Sequence, residues 1–182
     1  MLHYIYVHSP TVFGLVLLIC AIALTVFHRL TKSYKFESTF IKLCIIGFVG
    51  VIVYATLLSR DTDETTRGFS PIPFITYHIA RTQNVEYFRT AFMNVALFFP
   101  LGCLMNCLDF QGKKKWLYPA ITGLMISITV EISQYIFGLG YTETDDVIHN
   151  TLGTLIGVLV CTMTNHIIDE VKNIIYDKND SR

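Results

Sequence analysis

Two carboxylates stand inside otherwise apolar stretches of this chain, and each is followed by an amide at helical spacing. Glu131 has Gln134 three residues on, and Asp146 has Asn150 four residues on. Ser127, Glu131, Gln134 and Gly138 recur at steps of four, three and four, which is one face of a helix. Asp146, Asn150, Gly153 and Gly157 form a second such face, and the two faces are expected to look at one another. Glu131 and Asp146 could serve as general acid and base, but two carboxylates alone do not define a reaction. Glu143, Asp145, Asp146 and His149 are possible ligands for a divalent cation, without any fixed ligand spacing, so neither a metal nor another cofactor is expected. The chain has no G-x-S-x-G, no H-E-x-x-H and no P-loop. Binding is therefore a better first expectation than catalysis.

The elements that hold these residues are apolar blocks. Of the 182 residues, 52% are hydrophobic and 15% charged, and the mean hydropathy is +0.49, too apolar for an ordinary soluble domain. The expected fold is all-α: one polytopic membrane bundle over residues 1–182 with about five spans, near 11–27, 41–58, 89–108, 116–137 and 146–168. Each is close to the ~20 residues that cross a ~30 Å hydrocarbon core. Pro100 removes a backbone hydrogen bond within the third span and should kink it near Ala96. Net charge is zero and the one dense basic run is Lys113 to Lys115, which excludes a nucleic-acid binder. The five cysteines all lie in apolar blocks, without a CxxC, and read as small buried hydrophobes. Cys103 and Cys107 share a helix face but lack a third ligand.

Loop charges set an orientation. Arg29, Lys32, Lys35 and Lys42 fall on one side with Lys113 to Lys115, while the loop after the fourth span is purely acidic. The positive-inside rule then places the N-terminus outside and the C-terminus in the cytoplasm. The hydrophilic stretch from Arg60 to Tyr87 falls outside with the acidic loop. Within it, Gly68 to Phe74 holds two prolines and several apolar residues, which suits an extended or turned segment dipping into the interface. In this topology Glu131 lies roughly 9 Å of helix below the outer end of its span. Asn94, Asp146 and Asn150 fall in the same outer half.

Each polar residue also has a plainer reading. Glu131 could be a protonated or paired carboxylate that holds helices together, whereas an ionised one would want Arg67 or Arg89 nearby, since a charge at the bilayer centre costs about 2.5–3.5 kcal/mol. Asp146 is favourable simply as an acid at a helix N-terminus. Asn94 and Asn150 could be interhelical hydrogen-bonding residues, and Gly153-x-x-x-Gly157 a close-packing stripe.

Pro73-Phe74, Phe88-Arg89 leading to Asn94, Phe98-x-Pro100-x-Gly102, Glu131-x-x-Gln134 and Asp146-x-x-x-Asn150-x-x-Gly153 follow in a particular order and spacing. Over residues 67–157 that order resembles the VanZ-like family of bacterial membrane proteins. Glu143 stands where an aspartate is common in the family, and Asp145 is an additional acid. The resemblance implies a cell-envelope protein of the bacterial membrane associated with low-level resistance to teicoplanin, a glycopeptide carrying a fatty acyl chain. On that basis an outward polar site of Arg67, Arg89, Asn94, Glu131, Gln134, Asp146 and Asn150 is expected to engage an amphiphile. The ligand would be a lipidated glycopeptide, a lipid-linked peptidoglycan precursor or a membrane lipid. Two other readings remain open at this point: an intramembrane enzyme that modifies an envelope lipid or glycan, with Glu131 and Asp146 as acid and base, and a bundle whose polar residues only join helices.

Overall fold

A computed structural model describes residues 34–59, 68–74, 86–108, 110 and 112–180. The expected first span at 11–27 and Arg67 lie outside them. In chain order the described elements are α1 (Tyr34–Val53), which continues as a π-helix over Tyr54–Leu58, then β1 (Gly68–Ser70) and α2 (Glu86–Asn106). There follow α3 (Lys114–Phe137), β2 (Tyr141–Glu143) and α4 (Thr144–Asp180). Four helical stretches are long and apolar enough to cross a membrane: Phe40–Leu58, Phe88–Asn106, Lys114–Phe137 and Thr144–Ile175. The chain is a helical membrane bundle, and these stretches correspond to the second to fifth expected spans.

α2 is the axis of the bundle. Two thirds of its apolar window, 67%, is covered by protein, against 11% for α1, which lies at the periphery. The most extensive packing is between α2 and α4. Small residues make it possible. A Cβ on Gly102 would lie 1.9 Å from the Thr154 carbonyl oxygen, and one on Gly157 2.1 Å from that of Phe99. Gly153 sits equally close to Val95. The two backbones therefore touch, as van der Waals packing between membrane helices favours. The expected glycine stripe is present, and its partner is α2. The main apolar core, Ile52, Leu97, Phe98, Leu101, Met105 and Val130, lies on the other side of α2, against α1 and α3.

α2 continues as one helix through Pro100, which is buried. α4 differs from its expected bounds of 146–168. It begins at Thr144 and runs as a single helix of 37 residues, about 55 Å at 1.5 Å per residue. No proline or glycine follows Gly157, so nothing in the sequence stops it. Its far end leaves Ile167, Val171 and Ile174 exposed.

Two three-residue strands complete the fold. β1 pairs with β2 in parallel, with Gly68 opposite Tyr141 and Ser70 opposite Glu143. The stretch before α2 and the turn before α4 therefore meet at one end of the bundle, and the basic loop at Lys113 lies at the other. Gly138 ends α3 with a left-handed φ of 62°, its N–H returning to the Gln134 carbonyl. Gly138 to Gly140 then turn the chain back along α3.

Candidate functional site

That reversal decides the surroundings of Glu131. β2 folds down beside the last turns of α3, and the Glu143 N–H donates to Glu131 Oε2 at 3.1 Å. The Thr142 hydroxyl donates to the Glu131 carbonyl oxygen at 3.3 Å. Glu131 is 5% exposed, so its carboxylate is a buried acceptor receiving a backbone N–H, which offsets part of its desolvation.

Beside it lies a cavity of about 580 Å³, within the range of small-molecule sites. Glu131, Thr142, Glu143 and Thr144 supply its polar lining. The apolar lining comes from Ile128, Ile132 and Tyr135 on α3, Val147 on α4, and Phe69 on β1. Ile132 and Tyr135 are about half exposed on a membrane-spanning helix, so the apolar wall continues onto the outer surface of the bundle.

The remaining expected site residues are distributed differently. Gln134 is buried and donates from Nε2 to the Thr56 carbonyl of the π-helix at 3.1 Å, tying α3 to α1. Its Oε1 has no hydrogen-bond partner among the described residues. Asn150 donates from Nδ2 to Ser127 Oγ at 2.8 Å, so the polar faces of α3 and α4 do meet there. Both amides act as interhelical links. Asn94 is buried in α2, and its Nδ2 has no hydrogen-bond partner among the described residues. Arg89 is half-buried in the first turn of α2, at the strand-bearing end. None of these residues lines the cavity. Nor does Asp146, which is half-buried; the second carboxylate beside Glu131 in the cavity is Glu143.

Asp145, which looks from sequence like a supernumerary acid, is 1% exposed. Its Oδ1 accepts a short hydrogen bond from the Phe74 backbone N–H, across 71 residues of sequence. Phe74 has a φ of 64°, a left-handed conformation that is costly for a bulky side chain. One residue earlier, the Thr144 hydroxyl donates to the Ser70 carbonyl at 3.2 Å. The start of α4 thus fastens the whole Gly68–Phe74 segment, whose apolar residues Phe69, Ile72 and Phe74 are all exposed. The one signal for Asp145 in the sequence is its position at the opening of an apolar helix.

Glu143, Asp145, Asp146 and His149 do not form a cation site: among the described residues no group of three His, Cys, Asp or Glu side chains is placed to hold a metal. Cys103, Cys107 and Cys161 are buried and not joined in disulfides; Cys103 Sγ donates to the Gly157 carbonyl at 3.5 Å, filling the α2–α4 interface as a small hydrophobe does.

These features define a multi-pass helical membrane protein with a buried carboxylate at the edge of a largely apolar cavity. The family model VanZ/LLP1 matches residues 12–165, and the chain belongs to that family. The match is wider than the motifs at 67–157 and takes in the first expected span. Protein VanZ of Enterococcus faecium is 36% identical over 89 residues, 47% of this chain and 52% of that protein. The matched part thus spans about half the length of this relative. No solved structure gives a significant match.

Proposed function

We infer that this protein is a VanZ-like envelope protein that acts in teicoplanin resistance by engaging an amphiphilic ligand at the cavity beside Glu131. The cavity carries this reading. Its lining is mostly aliphatic and aromatic and continues onto the lipid-facing side of α3, with a small polar edge where Glu131, Thr142, Glu143 and Thr144 meet. An amphiphile with a polar head and an acyl chain has the same division. The acceptor-rich rim suits a head group with hydroxyl or amine donors, such as a lipidated glycopeptide or a lipid-linked glycan precursor. Arg89, and Arg67 just before β1, are placed in the sequence to assist with any anionic part. In the orientation favoured by Lys113 to Lys115, the strands and the cavity face the outside of the cell and the C-terminus lies in the cytoplasm.

The test compares a glycopeptide-sensitive host expressing wild type or Glu131→Gln at matched membrane levels. Wild type should protect against teicoplanin and not against vancomycin, which lacks the acyl chain, and the variant should return susceptibility to that of the host. Full protection by Glu131→Gln would remove Glu131 from the site.

A further inference from the structure

We propose that the Gly68–Phe74 segment is a strap that opens and closes the cavity, and that Asp145 is the positioning residue that latches it shut. The inference rests on the cavity being the binding site. Phe69 lines that cavity together with Ile132 and Tyr135. Phe69 is 58% exposed, Ile72 57% and Phe74 61%, so little apolar contact fixes the segment in place. Polar ties lie at both its ends: the short parallel ladder to β2 at the start, and the Asp145 carboxylate on the Phe74 N–H at the finish. The Thr144 hydroxyl on Ser70 lies between them.

Two further observations mark this as a fastening under tension. Phe74 meets Asp145 in a left-handed backbone conformation, which is costly for a phenylalanine. Asp145 itself is almost wholly buried at the first turn of a membrane-spanning helix, where a carboxylate is retained only if its hydrogen bonds offset desolvation. A loop with no role but to connect two spans has no need of either. Opening the cavity takes release of the latch and parting of the three-residue ladder that pairs Phe69 with Thr142; Phe69 then moves away with the strap and the polar rim at Thr142 and Glu143 becomes reachable from the aqueous end.

The experiment measures stopped-flow association and dissociation of a dansyl-labelled undecyl amphiphile with the full chain in nanodiscs, after subtraction of empty nanodiscs. The strap is locked by Gly68→Cys with Tyr141→Cys. These are paired positions, neighbouring strands lie ~4.8 Å apart, and disulfides span Cα separations of about 4.4–6.8 Å. The second substitution also removes the Tyr141 ring that a Cβ at position 68 would strike. Oxidation should slow both association and dissociation by roughly tenfold or more, with restoration by reductant, because access then requires a motion the lock forbids. Asp145→Ala should speed both rates while leaving the dissociation constant nearly unchanged. Asp145→Asn, which keeps the acceptor oxygen, should lie close to wild type. A purely structural role for Asp145 would lower binding capacity and leave the rates of the remaining protein alone. Saturable binding whose rates ignore both the lock and Asp145→Ala would overturn the strap and leave the cavity standing, with access through the lipid side at Ile132 and Tyr135. Absence of saturable binding in wild type would remove the cavity reading and the strap with it.

Discussion

Glu131→Ala and Glu131→Gln should behave differently, because one carboxylate has two tasks. It accepts the Glu143 N–H, and it presents a charge or proton to the cavity. Alanine removes the acceptor of a half-buried N–H and should cost about 1 kcal/mol, seen as a lower thermal midpoint in detergent. Glutamine keeps an acceptor oxygen and should hold the midpoint near wild type while losing protection. Phe74 offers a similar pair. Phe74→Gly removes the left-handed penalty and should match or slightly exceed wild-type stability, whereas Phe74→Val, β-branched at positive φ, should cost about 1–2 kcal/mol more. Thermal unfolding of both variants under one condition checks the order. The sequence makes Glu131 and Asn150 legible, because polar residues in apolar helices stand out. It misleads at Asp146. The pattern of fours and threes aligns Asp146 with Asn150, yet the buried stripe of α4 also passes through Asp145 and His149 and leaves Asp146 at its margin. Spacing gives the stripe's period, but only the neighbours fix its phase.

At the scale of elements, the interface between α2 and α4 is where the chain tolerates least. Gly157→Leu would drive a branched side chain into the Phe99 carbonyl and the Cys103 amide. Neither backbone can retreat without parting the two helices that pack most extensively. Overpacking typically costs 1–3 kcal/mol or more, so this variant should fail to accumulate in the membrane. Leucine at Gly47 on α1, where a Cβ meets nothing within 4 Å, should be silent. Immunoblots of membrane fractions distinguish the two. The helices were readable from apolar length and the glycine stripe from its spacing. The strands were not: each has three residues, and their partners lie on opposite sides of α2 and α3 in the sequence. No local periodicity reports a pairing of that range, so Glu143 to Asp146 reads as a bare acidic loop.

For the molecule as a whole, pairing β1 with β2 puts Gly68–Ser70 and the acidic turn at Glu143 at one end, whatever membrane surrounds them. A fluorescent-protein fusion after Arg182 should fluoresce, and a phosphatase inserted within residues 60–66 should be active. The reverse result would turn the bundle over and place the cavity in the cytoplasmic leaflet.

The π-helix at Tyr54–Leu58 extends this to the tolerance of the chain to length changes. A five-residue hydrogen-bond step, closed here by the Ser59 N–H on the Tyr54 carbonyl, is what one extra residue leaves behind in an α-helix. The widened turn includes Thr56, whose carbonyl receives Gln134. Deleting Ala55 should restore ordinary winding and leave everything before it near its present facing, because the widened turn already absorbs one residue. Ile52, fully buried in the core with residues of α2 and α3, then keeps its place. The same deletion at Ala96 in the bundle axis cannot be absorbed. A shortened α1 should therefore survive in the membrane, held by its apolar packing, with the Gln134 hydrogen bond to the Thr56 carbonyl as the contact at risk.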